Sequence, residues 1–318
     1  MKDSFHARSS SPPIVRYSRI FQLNDGNIYP FLIPSIRPSI YRPLTVPIQS
    51  HRNTSSFTPH IHPFHIITPV DIYGLLGYPL GHSFSASYFR QKFEREHLHA
   101  DYLNFEYPEV CEALSYMLTL HNLKGFNVTI PHKKDIIPRL SSLSAEAEAI
   151  GAVNVVKVRQ DEEGHIFLDG YNSDLIGFRE SIRPLLDQGL HRSALVLGTG
   201  GASRAVCYGL HQLGLTTLSV SRSPKPGCIT YEQLTPEIMR THLVVVNTTP
   251  VGMFPHTDEA PAIPYESLTK AHVLFDLVYN PMVTRFMQLG LEQGAKVKNG
   301  LEMLHRQADE AWRIWQEV

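Results

Sequence analysis

From residue 72 onward the apolar positions fall into short runs that switch between two periods. Ile72 to Leu76 is an apolar strand, and Ala86 to Glu96 has helical spacing with Tyr88, Phe89 and Phe93 on one side. Tyr102 to Glu106 predicts a second strand, and Val110 to Leu120 a helix with Leu114, Met117 and Leu118 inward. In 125–130, Phe126, Val128 and Ile130 alternate with Asn127 and Thr129, a strand with two unlike faces. Pro131 cannot donate to a sheet ladder and should end it. A capped helical turn at Ser144 to Ile150 and strands at Gly151 to Val156 and His165 to Leu168 follow. That alternation predicts a small α/β sheet. A helix from Asp174 toward Leu186 then leads into a second set. It comprises strands at Ser193 to Leu197, Thr216 to Val220, Leu243 to Asn247 and Val273 to Leu277, and a helix from Met282 to Gln293 closed by Gly294. The last helix, Leu301 to Gln316, carries Leu304, Ala308, Ala311, Trp312 and Trp315 on one face.

Residues 1–70 do not share this pattern. They hold ten of the 23 prolines, and seven bases against two acids, with serines and prolines in no helical or strand period. Such a stretch is expected to be mostly disordered. Its Arg- and Ser-rich, acid-poor character is that of an organelle transit peptide, though without an amphipathic helix. The alternative is translated upstream sequence from a misplaced start, and the abrupt change at Val70-Asp71 favours it. The folded unit is expected to begin near Asp71.

Composition narrows the class. A length of 318 residues suits two domains, and 42% hydrophobic with 19% charged residues suits a soluble globular protein. A net charge of −1 gives no bulk attraction to nucleic acid or membrane. No apolar run is long enough to span a bilayer. Cys111, Cys207 and Cys228 are odd in number and lack metal-ligand spacing, so free thiols, a reducing compartment and no metal are expected. Cytoplasmic location is the expectation, and the sequence leaves monomer and homodimer open.

The most distinctive local pattern is Leu195-Val-Leu-Gly198-Thr199-Gly200-Gly201-Ala202-Ser203, an apolar strand running into a glycine-rich turn and then a helix. That context suits a dinucleotide turn. Gly198 permits the bend, Gly200 lets backbone approach a pyrophosphate, and helix N–H groups face the phosphates. Ser203 stands where the fingerprint has its third glycine. The next strand ends in Ser221-Arg222-Ser223-Pro224-Lys225, with no acid for a ribose diol. Arg222 and Lys225 suit a 2′-phosphate, hence NADP. Thr248-Thr-Pro-Val-Gly252 after Asn247 suits the wall of a nicotinamide pocket, or an ordinary turn.

Lys133 follows the 125–130 strand, and strand ends are where open α/β sheets bind ligands. It is either a solvated surface lysine or a proton-transfer group. Asp174 suits the first turn of its helix through the helix dipole alone. Ser83 and Ser85 can project two hydroxyls toward a polyol, or Ser85 can cap the helix after it. Asn154, alone among apolar residues, must be hydrogen-bonded to backbone or ligand, and Gln307 lies at an edge of the last helix.

Together these segments resemble the shikimate dehydrogenase family. The matching pieces are Gly77-x-Pro79, His82-Ser83-x-Ser85, Gly125-x-Asn127-Val-Thr129-x-Pro131-x-Lys133, Gly151-Ala-Val-Asn154 and Asn172-x-Asp174. They continue through Gly198-x-Gly-Gly-Ala202-Ser203, Asn247-x-Thr249-Pro250-x-Gly252-Met253, Tyr279-x-Pro281 with Thr284, and Asn299-Gly300-Leu301-x-Met303-Leu304 with Gln307, covering about residues 72–318. The resemblance implies NADPH-dependent, reversible reduction of 3-dehydroshikimate to shikimate, in the route to chorismate and the aromatic amino acids. It implies Lys133 as acid/base with Asp174 beside it, and Ser83, Ser85, Asn127, Thr129, Asn154, Tyr279 and Gln307 around the substrate. For NADP(H) it implies Gly198, Thr199, Gly200, Gly201, Ala202, Ser221, Arg222, Ser223, Lys225, Asn247 and Thr248, with Leu277 and Gly300 near the nicotinamide. The expected domains are a substrate domain, 71–173, and a Rossmann-type NADP domain, 174–299. Helix 300–318 returns to the first, and the active site lies in the cleft between them. Ala86 and Tyr88-Phe89 depart from the family's usual Pro and His-Asn, and the second arginine of the basic cluster is missing. The alternatives are a quinate/shikimate dehydrogenase using NAD, against which Arg222 argues, and a non-catalytic NADP-binding protein of the same fold.

Overall fold

The computed structural model describes residues 70–81 and 84–317, together with the backbone of two strands nearer the start. Those two, β1 (Tyr17–Asn24) and β2 (Asn27–Pro34), pair as an antiparallel hairpin. This differs from the patternless reading of that stretch. The residues between the strands are Asp25-Gly26, a pair that favours a two-residue hairpin turn. The readings for the rest of 1–69 lie outside the described residues, as does the one for Ser83.

Two sheets organise the other compact unit, His65–Val318. The first uses β3 (Asp71–Gly77), β4 (Ala100–Glu106), β5 (Leu123–Val128), β6 (Ser142–Leu143), β7 (Val155–Gln160) and β8 (Ile166–Tyr171) in the order β4-β3-β5-β7-β8-β6. β3, β4 and β5 are parallel, while β7 runs antiparallel to both of its neighbours. Helices α1 (Phe84–Arg95), α2 (Val110–Met117) and α3 (Ala145–Ile150) belong to this lobe. α2 and α3 help cover one sheet face around Phe126 and Val128, whereas α1 and the chain's last helix cover the other around Tyr73 and Leu75.

After α4 (Ser173–Ile182) comes the second sheet. Its strands are β9 (Ser193–Leu197), β10 (Thr216–Ser221), β11 (Cys228–Thr230), β12 (Val244–Asn247), β13 (Val273–Asp276) and β14 (Lys296–Lys298). All six pair in parallel in the order β11-β10-β9-β12-β13-β14. That is the doubly wound dinucleotide order, with its switch point between β9 and β12. α4 and α5 (Gly201–Gln212) pack on one face; α6 (Pro236–Thr241) and α7 (Arg285–Glu292) pack on the other. Two covered faces explain why β9, β12 and β13 are apolar without alternation.

The last helix, α8 (Leu301–Gln316), joins the two lobes. Met303 belongs to the core of the second lobe, while Ala308, Ala311, Ile314 and Trp315 belong to the first. Gly177 lets α4 lie against α8, because a Cβ there would meet the Met303 carbonyl at 2.7 Å.

Boundaries moved for local reasons. α1 starts at Phe84, so Ser85 lies inside its first turn and is not its N-cap. Asn172 caps α4 by accepting from the Leu175 N–H, and α4 gives way at Arg183–Leu185 to a 3-10 turn containing Pro184. α7 begins at Arg285 rather than Met282, capped by Thr284. The strand expected at 151–156 starts only at Val155, because Gly151 sits left-handed (φ 66) as the C-cap of α3. Strands β6, β11 and β14 and helix α6 carried no period long enough to read.

Candidate active site

Each sheet has a switch point, β3/β5 in the first and β9/β12 in the second, and the loops leaving β3, β5, β12 and β13 share a cleft of about 580 Å³. From the first lobe it is lined by Ser85, Asn127, Thr129, Lys133 and Asn154; Asp174 stands at the junction. From the second come Met253, Leu277 and Tyr279, and from the start of α8 come Gly300, Met303, Leu304 and Gln307. Of the residues expected around the substrate, all the described ones are therefore brought together.

Lys133 is not a free surface lysine. The chain leaves β5 in a turn closed by His132 N–H to Thr129 O (2.9 Å). The buried His132 ring bonds the Tyr107 carbonyl (2.7 Å), and the Lys133 carbonyl accepts from Val153 N–H (2.7 Å). So anchored, Lys133 Nζ donates to Asp174 Oδ2 at 2.5 Å, with the side chains 18% and 11% exposed. The other carboxylate oxygen accepts from Asn154 Nδ2 at 2.8 Å. Asn154 in turn is fixed by the Ser173 N–H, which donates to its Oδ1 at 2.7 Å. The lone asparagine of the 151–156 segment thus aims the carboxylate.

The network extends further than the sequence revealed. Asn127 Nδ2 donates to the Asn154 carbonyl (3.2 Å), and its Oδ1 accepts from Tyr102 OH (2.7 Å). Ser85 also hydrogen-bonds the Tyr102 hydroxyl, which burial pushes well up from its ordinary pKa. One chain of hydrogen bonds therefore runs Ser85–Tyr102–Asn127–Asn154–Asp174–Lys133. Tyr102 is fully buried and stacked on Phe89 at 4.7 Å. In the sequence it is one aromatic residue on a strand, with nothing to signal this role. Tyr102→Phe leaves Asn127 Oδ1 without its buried donor, an effect of about 1–3 kcal/mol. We expect KM for the substrate to rise roughly tenfold with kcat within about threefold, read by steady-state kinetics.

The dinucleotide turn has the geometry such a loop needs. Gly198 has φ 109, and a Cβ there would come within 2.6 Å of Thr248 Oγ1, so the two strand-end loops touch at the switch point. Gly200 is the N-cap of α5 with open space before it, and Gly201 lies beside the Lys133 side chain. Ala202 continues the first turn of α5, and Ser203 Oγ closes the loop on the Gly198 carbonyl (2.8 Å). Ser221 ends β10 and is buried, accepting from the Ser223 N–H. Arg222 is exposed, and Lys225 Nζ donates to Thr199 Oγ1 (2.8 Å) in a groove beside α5. These groups fit a pyrophosphate and a 2′-phosphate: a bare helix N-terminus, two cations and no carboxylate at the β10 end. The Asn247 and Thr248 side chains turn inward, Asn247 to Asp276 and Thr248 to the Leu197 carbonyl. Among the described residues no group of metal-ligating side chains is assembled.

Residues 75–156 match the profile of the shikimate dehydrogenase substrate binding domain. A shikimate dehydrogenase (NADP(+)) of Caldanaerobacter subterraneus subsp. tengcongensis is 35% identical over 260 residues, 77% of this chain and 91% of that one. The chain belongs to the shikimate dehydrogenase family. Among solved shikimate dehydrogenases, that of Aquifex aeolicus superposes with a TM-score of 0.69 at 35% identity, covering 78% of this chain and 92% of that one. The Thermus thermophilus shikimate 5-dehydrogenase, solved in complex with NADP(H) and shikimate, does so at 0.67 and 32%, covering 78% and 94%. Within the family's fold, then, Lys133 and Asp174 come from the lobe that the profile spans and from the junction that follows it.

Proposed function

We infer that this protein catalyses the NADP-dependent interconversion of shikimate and 3-dehydroshikimate, a step of aromatic amino acid biosynthesis. The observation that carries the reading is the Lys133–Asp174 pair, set in one cleft with Leu277 and Gly300 of the opposite wall. NADP, when bound, supplies the two-electron acceptor for the carbinol carbon. The protein's own residues orient the ring and manage the proton. Ser85, Asn127, Thr129, Asn154, Tyr279 and Gln307, with Ser83, offer donors and acceptors to the hydroxyls and carboxylate of a polyol acid. Lys133 Nζ, held at 2.5 Å from Asp174, exchanges one proton with the reacting oxygen. Asp174, with its second oxygen engaged by Asn154, keeps the ammonium pointed into the cleft. In ketone reduction Lys133 is the acid; in alcohol oxidation the pair accepts the proton. The cytoplasm and a monomer or homodimer belong to the same reading. Among the described residues, no helix is long and apolar enough to cross a membrane.

The test is reduction of NADP with shikimate, then quinate, each repeated with NAD and followed by the absorbance of the reduced nicotinamide. Turnover with NADP and shikimate is expected to dominate; rates favouring NAD, or none with either acid, would overturn the reading. Arg222→Ala sharpens it. Loss of a charge-assisted bond of about 1.5–3 kcal/mol corresponds to a KM for NADP roughly 10- to 100-fold higher, with NAD kinetics unaltered.

A further inference from the structure

Asp276 is a fully buried carboxylate at the end of β13, outside the proton-transfer pair. Its Oδ1 accepts from Asn247 Nδ2 (3.0 Å) and from Val278 N–H (3.0 Å), and its Oδ2 from Thr284 Oγ1 (2.6 Å). These donors sit on three separate segments. Asn247 ends β12, and its Oδ1 holds the Thr249 N–H (3.0 Å) and hydroxyl (2.6 Å), shaping the loop that reaches Met253. Val278 lies between Leu277 and Tyr279, both lining the cleft, and the Asn247 carbonyl accepts from Leu277 N–H (2.9 Å). Thr284 caps α7 through the Met287 N–H (3.3 Å). The whole second-lobe wall of the cleft is thus tied to one anion.

No lysine, arginine or histidine pairs with this anion among the described residues, and its stabilisation is by neutral donors alone. The titratable group that senses it is Tyr265, on the turn Tyr265–Ser267. Its hydroxyl donates to the Pro261 carbonyl, and burial followed by the charge of Asp276 pushes its pKa up; Arg285, after the α7 cap, opposes that. β12 contributes the neutral Asn247 and α7 the neutral Thr284.

We propose that Asp276 is a positioning residue for the redox step, its ionised carboxylate holding Leu277, Tyr279 and the 247–253 loop against the bound cofactor. The proposal rests on the reaction inferred above. Asn247 Nδ2 and Val278 N–H can only donate, both to Oδ1, while the Thr284 hydroxyl on Oδ2 can donate or accept. Protonation of Oδ2 reverses the Thr284 bond, takes the acceptor away from that hydroxyl's hydrogen and loosens the wall at the start of α7. Burial pushes the Asp276 pKa up to about 6, so the charged form prevails above that pH and is lost below it. Because the folded value lies above the ordinary one, this group's contribution to stability is present at low pH and lost as pH rises through about 6. The charge therefore opposes folding at neutral pH while it arranges the site.

The experiment measures kcat, both KM values and melting temperature for the full chain from pH 5 to 8, for wild type and Asp276→Asn. Wild-type kcat should fall below about pH 6. In Asp276→Asn at pH 7.5, kcat should drop roughly 10- to 100-fold. KM for shikimate should rise by less than kcat falls, because Tyr279 shifts with the wall while Lys133, Asp174 and Asn127 stay in place, and the limb near pH 6 should be absent. A folded Asp276→Asn protein with kcat within threefold of wild type, or with the same acid limb, overturns the proposal. Should that variant fail to fold, Thr284→Val, which removes one donor to the charge, must move the limb to higher pH, and Thr284→Ser must return it. An unmoved limb in Thr284→Val also overturns the proposal. If wild type does not turn over shikimate, the functional reading fails separately. NADPH titration by its fluorescence then decides: a dissociation constant rising below pH 6 in wild type but flat in Asp276→Asn supports the hub, and identical profiles reject it.

Discussion

Lys133→Ala should lower kcat for shikimate oxidation by about 10²–10⁴-fold with little change in KM, the loss expected when a general acid–base is removed. The structure makes the substitution clean in one respect. Asp174 keeps the Asn154 Nδ2 donor at 2.8 Å and Asn154 keeps the Ser173 N–H, so the carboxylate remains aimed after the lysine is gone. It is less clean in another, since Asp174 is 8% exposed and loses its cation. Lys133→Arg separates the two effects. It restores a positive charge, but its guanidinium, always charged, cannot give up a proton at working pH. If Lys133 served only as a counter-ion, the arginine variant would recover most of the rate. If it moves the proton, Arg and Ala variants should be similarly slow while melting temperatures stay near wild type. Near-normal turnover in Lys133→Ala would remove Lys133 from the chemistry.

Why was so much of this site visible in the sequence, and where did legibility stop? The residues that line the cleft sit at strand ends and helix starts, where Gly, Pro and isolated polar residues break a hydrophobic period. Gly198 to Ser203, Asn154 within its apolar segment and Lys133 after Pro131 all stand out for that reason. Each lobe's alternation was legible too, because strands covered on both faces are continuous apolar runs. What remained hidden depends on contacts between segments far apart in the chain. Tyr102 and Asn127 are 25 residues apart and meet only because β4, β3 and β5 are neighbours in the sheet. Asp276 and Asn247, 29 apart, meet because β12 and β13 pair in register. The family resemblance implies Asn247 as a cofactor residue, while its side chain faces inward to Asp276. The three-residue edge strands β11 and β14 were missed because three residues carry no period, and their pairing comes from the strand already beside them.

The second large effect is expected at a position with no polar chemistry. Gly300→Ala should cut kcat/KM by about 10²-fold and cost roughly 1–3 kcal/mol of stability. Backbone conformation is not the reason, since Gly300 has φ −78 and ψ −1, which alanine adopts freely. Space is. A Cβ at this position would lie 2.1 Å from the Leu277 carbonyl oxygen, 2.7 Å from its carbon and 3.1 Å from its Cα. All three are backbone atoms, so no side chain can swing aside. Either the 277–279 segment or the start of α8 must move. The segment is pinned by Leu277 N–H to the Asn247 carbonyl (2.9 Å), and α8 is pinned by the buried Met303 and by its contact with Gly177. Whichever yields, cleft residues shift: Leu277 and Tyr279 in one case, Leu304 and Gln307 in the other. The kinetic split tells them apart. Movement of Leu277 with Tyr279 lowers kcat and raises KM for shikimate together, while movement of Gln307 raises KM alone. A variant with wild-type kinetics and melting temperature would mean that the close packing of α8 against this loop is not what holds the two walls of the cleft in register.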